Sequence, residues 1–263
     1  MKKKPEDISE YKKWLKEKHS IEISDRTRTY YESVAGKIKS DFEKSEFWEQ
    51  LEGCLQEYDR KYSLERECPL LMSDDPPELY IKSFDSFLLK TFRKNVIENK
   101  NWPNDPNNGW VLPDNWHSSI NDIVRTLIVV KYLDGVQFIL DNIKSLCEQN
   151  GLTPNIFLEA REEGYYAAHL YVRGGFEIPR IDWDTDKVDI SIEIQVTTQL
   201  QDVIRKLLHK YYEEGRKQVM GDDMKWQWDY KSDEFAANYL GHILHYVEGM
   251  IVEIREKQKE EQI

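Results

Sequence analysis

Glu193 lies near the centre of a segment, Lys187 to Val196, in which polar and aliphatic residues alternate strictly. A period of two predicts a β-strand with one aliphatic face and one polar face. The polar face consists of Asp189, Ser191, Glu193 and Gln195. Such a face is usually the solvated side of a half-exposed sheet. The alternative is the floor of a polar site, where a carboxylate binds a metal ion or abstracts a proton.

Cationic residues at helical spacing form a second group that could do chemistry. Lys82, Ser86 and Lys90 are followed by Arg93 or Lys94, so these side chains share one face of a predicted helix. A charged stripe of this kind is most often a solvated helix face. The alternative is a row of cations that binds a polyphosphate, because the lysine ammonium acts as a compact point charge toward phosphate.

An aspartate stands just before a β-branched segment. Asp122 precedes the strand predicted over residues 127–132, and Arg125 lies between them. An aspartate in this position commonly caps a helix or closes a turn. It is also a place where α/β enzymes hold a metal ion with a carboxylate, so both interpretations stay open at this point.

Paired tyrosines open another predicted strand. Gly164 is followed by Tyr165 and Tyr166, and His169 lies in the same strand, predicted over residues 165–173. Packed aromatic rings at the start of a strand are the ordinary interpretation. The functional alternative is a tyrosine ring that stacks on a nucleobase, a contact worth about 1–3 kcal/mol.

Helical and strand patterns alternate along the chain and predict an α+β (α/β-like) fold with a mixed β-sheet flanked by helices. Apolar residues at helical intervals predict an N-terminal helical region, with Ser24 as an N-cap, and a long C-terminal helix. The segment between residues 151 and 163 is predicted to be a connection. The other predicted elements are strands over 78–82, 127–132, 165–173 and 187–198 and helices over 83–94, 133–149, 198–215 and 232–262.

The same patterns divide the chain into three predicted parts. Residues 1–77 form a helical region, residues 78–216 the core with the candidate chemistry, and residues 217–263 a helical extension. The last helix carries an apolar stripe of Phe235, Tyr239, Ile243, Val247 and Ile251. We expect this stripe to pack on its own domain. The alternative is an interface with a second copy of the chain or with a neutralising partner.

Composition and missing motifs exclude several classes of protein. The chain has 263 residues and a formal net charge of −12, so it is not a generally basic nucleic-acid coat. It contains no Gly-x-x-x-x-Gly-Lys-Ser/Thr phosphate loop and no Gly-x-Gly-x-x-Gly fingerprint. No apolar run approaches the roughly 18 residues of a membrane span. The three cysteines lack metal-ligand spacing. We therefore expect a reduced, cytoplasmic protein that does not bind membranes.

Taken in order, these motifs resemble the synthetase domain of the RelA/SpoT family. The resemblance extends from about residue 80 to residue 212, about half of the chain. The residues that carry it are Lys82, Ser86, Lys90, Asp122, Gly164, Tyr165, His169, Glu193, Gln195, Thr198, His209 and Tyr212. The order of the motifs is more specific than any one of them.

The resemblance implies a nucleotidyltransferase-like sheet that transfers pyrophosphate from ATP to a ribose 3′-hydroxyl. With GDP or GTP as acceptor the product is a (p)ppGpp-type alarmone. It implies that Asp122 and Glu193 hold Mg²⁺ and orient the hydroxyl, and that Tyr165 stacks on the acceptor base beside His169 and Gln195. The residues expected to bind ATP are Tyr80, Lys82, Ser86, Lys90, Arg93 and Arg125.

The chain departs from the family pattern at four positions, one of which is Arg125, where a glycine is usual. Tyr80 stands where family members often carry an arginine, so adenine stacking would be aromatic here. Leu127 and Thr197 replace arginines on the acceptor side. These losses fit a changed acceptor, such as the tRNA 3′ end that some toxin-like members pyrophosphorylate. A third hypothesis, of another class, is a catalytically silent module that binds nucleotides without turnover.

Overall fold

The N-terminal helices follow the predicted apolar periodicity. The computed structural model describes residues 3–179, 184–207 and 225–260. Its first three helices are α1 (Ile8–His19), α2 (Asp25–Glu43) and α3 (Glu46–Arg66). Asp7 caps α1 by accepting a hydrogen bond from the Glu10 amide at 2.8 Å. Ser24 is the N-cap of α2, as the sequence predicts.

Strands and further helices follow in the rest of the described residues. The remaining elements are β1 (Leu79–Ile81), α4 (Phe84–Phe92), a π-helical turn (Arg93–Ile97), α5 (Trp116–Ser119), β2 (Val124–Val130), α6 (Leu133–Gln149), β3 (Asn155–Ala160), β4 (Tyr166–Pro179), β5 (Thr185–Thr198), α7 (199–207), a 3₁₀ turn (Trp226–Trp228) and α8 (Asp233–Glu260). None of the described helices is both long enough and apolar enough to cross a membrane.

The five strands form one sheet in the order β1-β2-β5-β4-β3. Strands β3 and β4 are antiparallel, with Asn155 opposite Tyr171 and Ala160 opposite Tyr166. The predicted α+β fold, with a mixed sheet, flanking helices, an N-terminal helical region and a long C-terminal helix, is confirmed. The prediction of a connection over residues 151–163 is wrong, because that segment contains β3. This strand lies at the sheet edge and is mostly exposed, so its sequence lacks a buried alternating face.

The chain forms two compact units that interleave in sequence. The first unit comprises residues 1–45, 79–125 and 173–193. In it, Tyr31 on α2 stacks on Phe87 of α4, with ring centroids 4.4 Å apart, and Trp116 packs edge-on against the same ring. These contacts fix α4, which follows β1 and carries the predicted lysine face. The predicted boundaries at residues 77 and 216 divide the sequence differently and stay a prediction.

The second unit comprises residues 46–78, 126–172 and 194–263. In it, α8 crosses the start of β4 at very close range. A Cβ atom placed on Gly241 would lie only 2.3 Å from the carbonyl oxygen of Gly164, so neither glycine can be replaced without a backbone shift. Tyr166 stacks on His245 of α8 with ring centroids 3.6 Å apart. Gly241 and His245 therefore lie on the side of α8 that packs against the start of β4.

The expected packing of the apolar stripe of α8 is wrong for most of its members. Tyr239, Ile243 and Ile251 are exposed, with 39%, 55% and 41% of their surface accessible. The buried residues of α8 are Ala237, Asn238, Gly241 and Glu248. Close approach to Gly164 selects small side chains on the inner side, which a hydrophobic pattern cannot reveal.

Candidate active site

Two lysines converge on one buried aspartate in the first unit. The Nζ atom of Lys82 lies 3.0 Å from Oδ2 of Asp122, and the Nζ atom of Lys90 lies 2.9 Å from Oδ1. Asp122 is 8% exposed. Each carboxylate oxygen therefore has its own cation, and the three side chains together carry one positive charge in excess.

These cations decide the charge of the aspartate. Burial alone would raise the pKa of the Asp122 carboxyl, but the charges and hydrogen bonds of Lys90 and Lys82 lower it to about 2. Burial also lowers the pKa of the Lys82 ammonium, although the Asp122 charge opposes that effect. The repulsion from Lys90 and Arg125 lowers the pKa of Lys82 further. The cluster is thus an ionised carboxylate among crowded cations.

Backbone contacts of β1 and α2 set the position of Lys82. The Lys82 amide donates to the carbonyl oxygen of Ile123 at 2.8 Å, which brings the end of β1 beside the residue that follows Asp122. The hydroxyl of Tyr31 donates to the Lys82 carbonyl oxygen at 2.8 Å. Ser83 then caps α4, which carries Lys90 on its last turn. Three separate segments therefore hold the two lysines on Asp122.

The structure separates the two cations that follow Lys90. The guanidinium of Arg93 is paired with Glu98 at 2.8 Å, and its side chain is 44% exposed. The ammonium of Lys94 is partly buried and donates to the carbonyl oxygen of Ser119 at 3.2 Å. The pKa of the Lys94 ammonium is lowered, mainly by burial and also by the charge of Lys90. The charges of Glu98 and Asp122 oppose this shift. Lys94 therefore lies within the electrostatic reach of the cluster.

The other residues predicted to bind ATP lie around the same segments. Ser86 is exposed on the first turn of α4 and accepts a hydrogen bond from the Ser83 hydroxyl at 2.9 Å. Arg125 is exposed on β2, and its charge acts on Lys82. Tyr80 is 54% exposed on β1. The ring of Tyr80 is therefore accessible to a planar ligand, and its role in adenine stacking stays a prediction.

The polar face of β5 is buried along much of its length. Ser191, Glu193 and Gln195 are 5%, 5% and 9% exposed, whereas Asp189 is exposed. The interpretation of this face as a solvated surface is therefore wrong for these three residues. Strand β5 pairs with β2, the strand that begins two residues after Asp122. Glu193 and Asp122 are the buried carboxylates contributed by these neighbouring segments of the first unit.

The three residues predicted to bind the acceptor lie in the second unit. The amide of Gln195 donates to the hydroxyl of Tyr165. His169 is 8% exposed, and its Nε2 atom lies 3.0 Å from a carboxylate oxygen of Glu159 on β3. Arg161 contacts the other oxygen of Glu159 at 2.6 Å and lies 5.2 Å from the centroid of the Tyr165 ring. The structure thus gathers an aromatic ring, an amide, an imidazole and a cation.

Sequence reasoning missed Glu159 and Arg161 as candidate site residues. Glu159 and Arg161 lie in or next to β3, a strand that the sequence did not indicate, so they were not considered as candidates. The sequence feature that could have pointed to them is the spacing of two residues between Glu159 and Arg161, which is the period of a β-strand. Lys94 stood as an alternative to Arg93 because helical spacing allows either. His209 and Tyr212, which also carry the family resemblance, lie outside the described residues.

The first unit contains carboxylates of the chemical class that binds Mg²⁺. The described part of the chain holds no cluster of three or more His, Cys, Asp or Glu side chains that could bind a metal by itself. Mg²⁺ does not require such a cluster, because it is usually bound by one or two carboxylates together with water and substrate phosphates. Asp122 and Glu193 are two buried carboxylates of the required kind. Their role as metal ligands remains a proposal.

Comparison with known proteins adds independent information about the fold. No protein-family model and no curated protein sequence matches the chain. Among solved structures, small alarmone synthetase 1 from Bacillus subtilis is similar, with a TM-score of 0.51, 14% identity and coverage of 90% of this chain and 97% of that one. The same synthetase bound to its product pppGpp gives a TM-score of 0.50 and 15% identity, with 89% and 97% covered.

A third similar structure is a GTP pyrophosphokinase family protein from Streptococcus pneumoniae. It has a TM-score of 0.50 and 15% identity, and the match covers 90% of this chain and 95% of that one. At this level of identity the similarity establishes architecture and not activity. The fold implied by the resemblance to the RelA/SpoT synthetase domain is confirmed: the chain has the fold of the small alarmone synthetases.

Proposed function

We propose that the protein is an ATP-dependent pyrophosphokinase that transfers the β,γ-pyrophosphate of ATP to the 3′-hydroxyl of GDP or GTP. The product would be a (p)ppGpp-type alarmone, made in the cytoplasm. The observation that carries the proposal is the pair of lysines on Asp122, on the fold of a small alarmone synthetase. A half-buried site with excess positive charge suits a polyphosphate and has no evident use in a purely structural helix.

The proposed roles follow from the geometry of the first unit. Lys82 and Lys90 exchange part of their contact with Asp122 for the phosphate oxygens of ATP, since both ammonium groups lie at its carboxylate. Arg125 and Ser86, which are exposed, add a cation and a hydroxyl at the rim. Phosphoryl transfer depends on positioning and charge neutralisation more than on covalent chemistry, so such contacts are sufficient parts of a catalyst.

Asp122 and Glu193 would hold Mg²⁺, which when bound neutralises charge on the phosphates. The low pKa of Asp122 keeps its carboxylate ionised across the physiological range and thus ready to bind a cation. Glu193 would orient the acceptor hydroxyl and accept its proton. Its burial excludes bulk water from the carboxylate, which limits competing hydrolysis.

The polar cluster of the second unit is the proposed site for the acceptor nucleoside. The ring of Tyr165 would stack on the base, with Gln195 fixing the tyrosine hydroxyl. His169 is held by Glu159 and would donate to an acceptor oxygen. Arg161 supplies a cation beside Tyr165 in a chain that lacks the family arginines at Leu127 and Thr197.

A label-transfer assay tests the proposed function. The full chain is incubated with Mg²⁺, γ-labelled ATP and, in parallel, GDP, GTP, AMP or bulk tRNA. We expect label on GDP or GTP and its loss in Glu193→Gln, which keeps the size of the side chain. Glu234→Gln, at the start of α8, is the matched control. Absence of label on every acceptor, with ATP bound, would instead identify a silent nucleotide-binding module.

The tRNA 3′ end is the second candidate acceptor, favoured by one observation. Thr197 stands where the family pattern has an arginine, is 3% exposed, and its hydroxyl donates to the Tyr166 carbonyl at 3.3 Å. That position therefore offers no cation to a nucleotide 5′-phosphate. Label that appears on tRNA and not on GDP or GTP would move the assignment to a toxin-like enzyme.

A protein partner of α8 also stays a proposal. The exposed residues Tyr239, Ile243 and Tyr246 form an apolar surface on the described part of this helix. It would fit either a second copy of the chain or a neutralising partner. Sedimentation velocity of the wild type and of Ile243→Glu tests the first of these: self-association lost in the variant supports it, and monomers in both samples contradict it.

A further inference from the structure

Adjacent cations in the first unit have opposite environments. Arg93 is exposed and is paired with Glu98, a residue on its own turn. Lys94 is partly buried and reaches across to the carbonyl oxygen of Ser119, three residues before Asp122. An ordinary helix would place either residue near the face that Lys90 occupies, so spacing alone does not explain the difference.

The π-helical turn at Arg93–Ile97 explains the different environments of Arg93 and Lys94. In this turn the amide of Glu98 donates to the carbonyl oxygen of Arg93, five residues earlier, at 2.8 Å. A π turn is wider than an α turn, so each residue advances through a smaller angle and Lys94 comes closer to the direction of Lys90. Isolated π turns in helices are rare and are frequently found at functional sites.

Distant contacts hold the π turn in place. Asn95 is fully buried, and its amide donates to the Tyr11 hydroxyl at 2.8 Å and to the Val111 carbonyl at 2.9 Å. Its side-chain oxygen accepts from the Val111 amide at 2.9 Å. Buried side chains with satisfied hydrogen bonds define one conformation strongly. The orientation of Lys94 is therefore built into the fold and does not result from a flexible surface lysine.

We propose that Lys94 is the third lysine of the phosphate-binding cluster, and that the π turn selects it over Arg93 as a ligand of the triphosphate. This inference rests on the proposed function, which supplies ATP as the ligand. With Lys94 included, three ammonium groups act on one buried carboxylate, and two positive charges are in excess. A single divalent anion, or part of a triphosphate, balances that excess. The Ser119 carbonyl holds the ammonium in place until the ligand arrives.

Binding of inorganic tripolyphosphate to the full chain tests the inference without any transfer reaction. Lys94→Met keeps the aliphatic stem and removes the charge, and we expect it to weaken binding of tripolyphosphate and of ATP by about 10- to 100-fold. Arg93→Met tests the alternative assignment, in which Arg93 binds the phosphates, and is expected to change the affinity much less. Lys100→Met, an exposed lysine of the same unit, is the matched control. Lys94→Arg should restore most of the affinity.

A second measurement uses the unaltered protein, so it does not depend on whether a variant folds. Reductive methylation with and without tripolyphosphate, read by mass spectrometry, reports the accessibility of each lysine. We expect tripolyphosphate to protect Lys94 and not Lys100. Equal methylation of Lys94 in both conditions, or equal affinity of Lys94→Met and wild type, overturns the inference. If the wild type binds ATP but labels no acceptor, the proposed function fails while Lys94 is still judged by binding.

Discussion

Asp122 and Glu248 are both buried carboxylates, yet their pKa values are shifted in opposite directions. Asp122, in the first unit, is 8% exposed and has two lysines within 3.0 Å. Glu248, on α8 in the second unit, is 4% exposed, and no cation is among the groups that shift its pKa. The pKa is lowered to about 2 for Asp122 and is raised by burial to about 7 for Glu248, where a hydrogen bond with Thr198 acts in the opposite direction.

The comparison shows that burial alone does not determine the charge of a carboxylate. Desolvation raises the pKa of both groups, and only the neighbouring cations reverse that effect at Asp122. A buried carboxylate surrounded by cations suits metal and phosphate chemistry, whereas one without them behaves as a neutral packing group that titrates near physiological pH. Replacing the Asp122 carboxyl by an amide should therefore lower the stability of the protein, whereas the same replacement at Glu248 should raise it at pH 8.

Asp122→Asn should have the largest effect. The amide leaves Lys82 and Lys90 without their counter-charge, and removal of one partner of a buried ion pair costs about 3–5 kcal/mol. We expect the lower end of that range, because Lys90 is 35% exposed, and a loss of pyrophosphate transfer of about 100-fold or more. Urea denaturation and label transfer measure the two effects. Asp114→Asn, an exposed aspartate of the same unit, is the control, and wild-type transfer in Asp122→Asn would refute the assignment.

Lys82→Met should raise the pKa of Asp122, in the direction of the raised pKa of Glu248. With one cation removed, the pKa of Asp122 should rise from about 2 toward its ordinary value, which carboxyl-carbon NMR can follow. The affinity for ATP should fall by about 10- to 100-fold, since a charge-assisted contact with phosphate is lost. Lys13→Met, on the exposed face of α1, is the control for the charge change. An unchanged pKa of Asp122 would mean that Lys90 alone sets its charge.

Glu248→Gln should remove a pH dependence of stability. Because the folded-state pKa of Glu248 is raised to about 7, the stabilisation is complete below the unfolded value of about 4.3 and is lost as the pH rises through 7. At pH 8 the variant should therefore be more stable than wild type, by about 2 kcal/mol. His242 and His245 lie on the same helix, so the comparison is made between variant and wild type across the pH series.

Glu253→Gln provides the matched control for this series. Glu253 is exposed on α8 and is paired with Lys257, so its neutralisation should leave the slope of stability against pH between 5 and 8 unchanged. If Glu248→Gln shows the wild-type slope, then Glu248 is already ionised at neutral pH, and its environment resembles that of Asp122 more than the structure indicates.

The sequence predicted the regular parts of the molecule and the residues of the charged cluster. Alternation located β5, because that pattern follows from local geometry. Helical spacing grouped Lys82 with Lys90, but Lys82 precedes α4 and is positioned by the backbone contacts of β1. The different environments of Lys94 and Arg93 were not predictable, since the π turn depends on a hydrogen bond from Asn95 to Tyr11, which lies 84 residues away.

The second unit was less predictable for a related reason. Strand β3 was missed because an exposed edge strand shows no alternating burial. The buried side of α8 was missed because close packing of Gly241 on Gly164 requires small residues there, and the apolar stripe faces outward instead. Glu248 therefore occupies a buried position that hydrophobic periodicity assigns to solvent.

Tyr31→Phe should have the smallest effect and tests how the Asp122 cluster is supported. The ring keeps its stack on Phe87, while the hydrogen bond from its hydroxyl to the Lys82 carbonyl is lost. Such a bond contributes about 1 kcal/mol to the free energy of unfolding. The backbone amide of Lys82 also donates a hydrogen bond to the Ile123 carbonyl oxygen. The Lys82 ammonium should therefore shift only slightly, and the affinity for ATP should fall by no more than a few-fold.

The two readouts of Tyr31→Phe separate positioning from packing. Tyr246→Phe, on the exposed face of α8, removes a hydroxyl without a structural role and provides the baseline for both. A fall in ATP affinity larger than the loss of stability would show that α2 sets the position of Lys82 within the cluster. A loss of stability with unchanged affinity would show that Asp122 holds Lys82 in place by charge alone, since the backbone support could then be weakened without moving the ammonium.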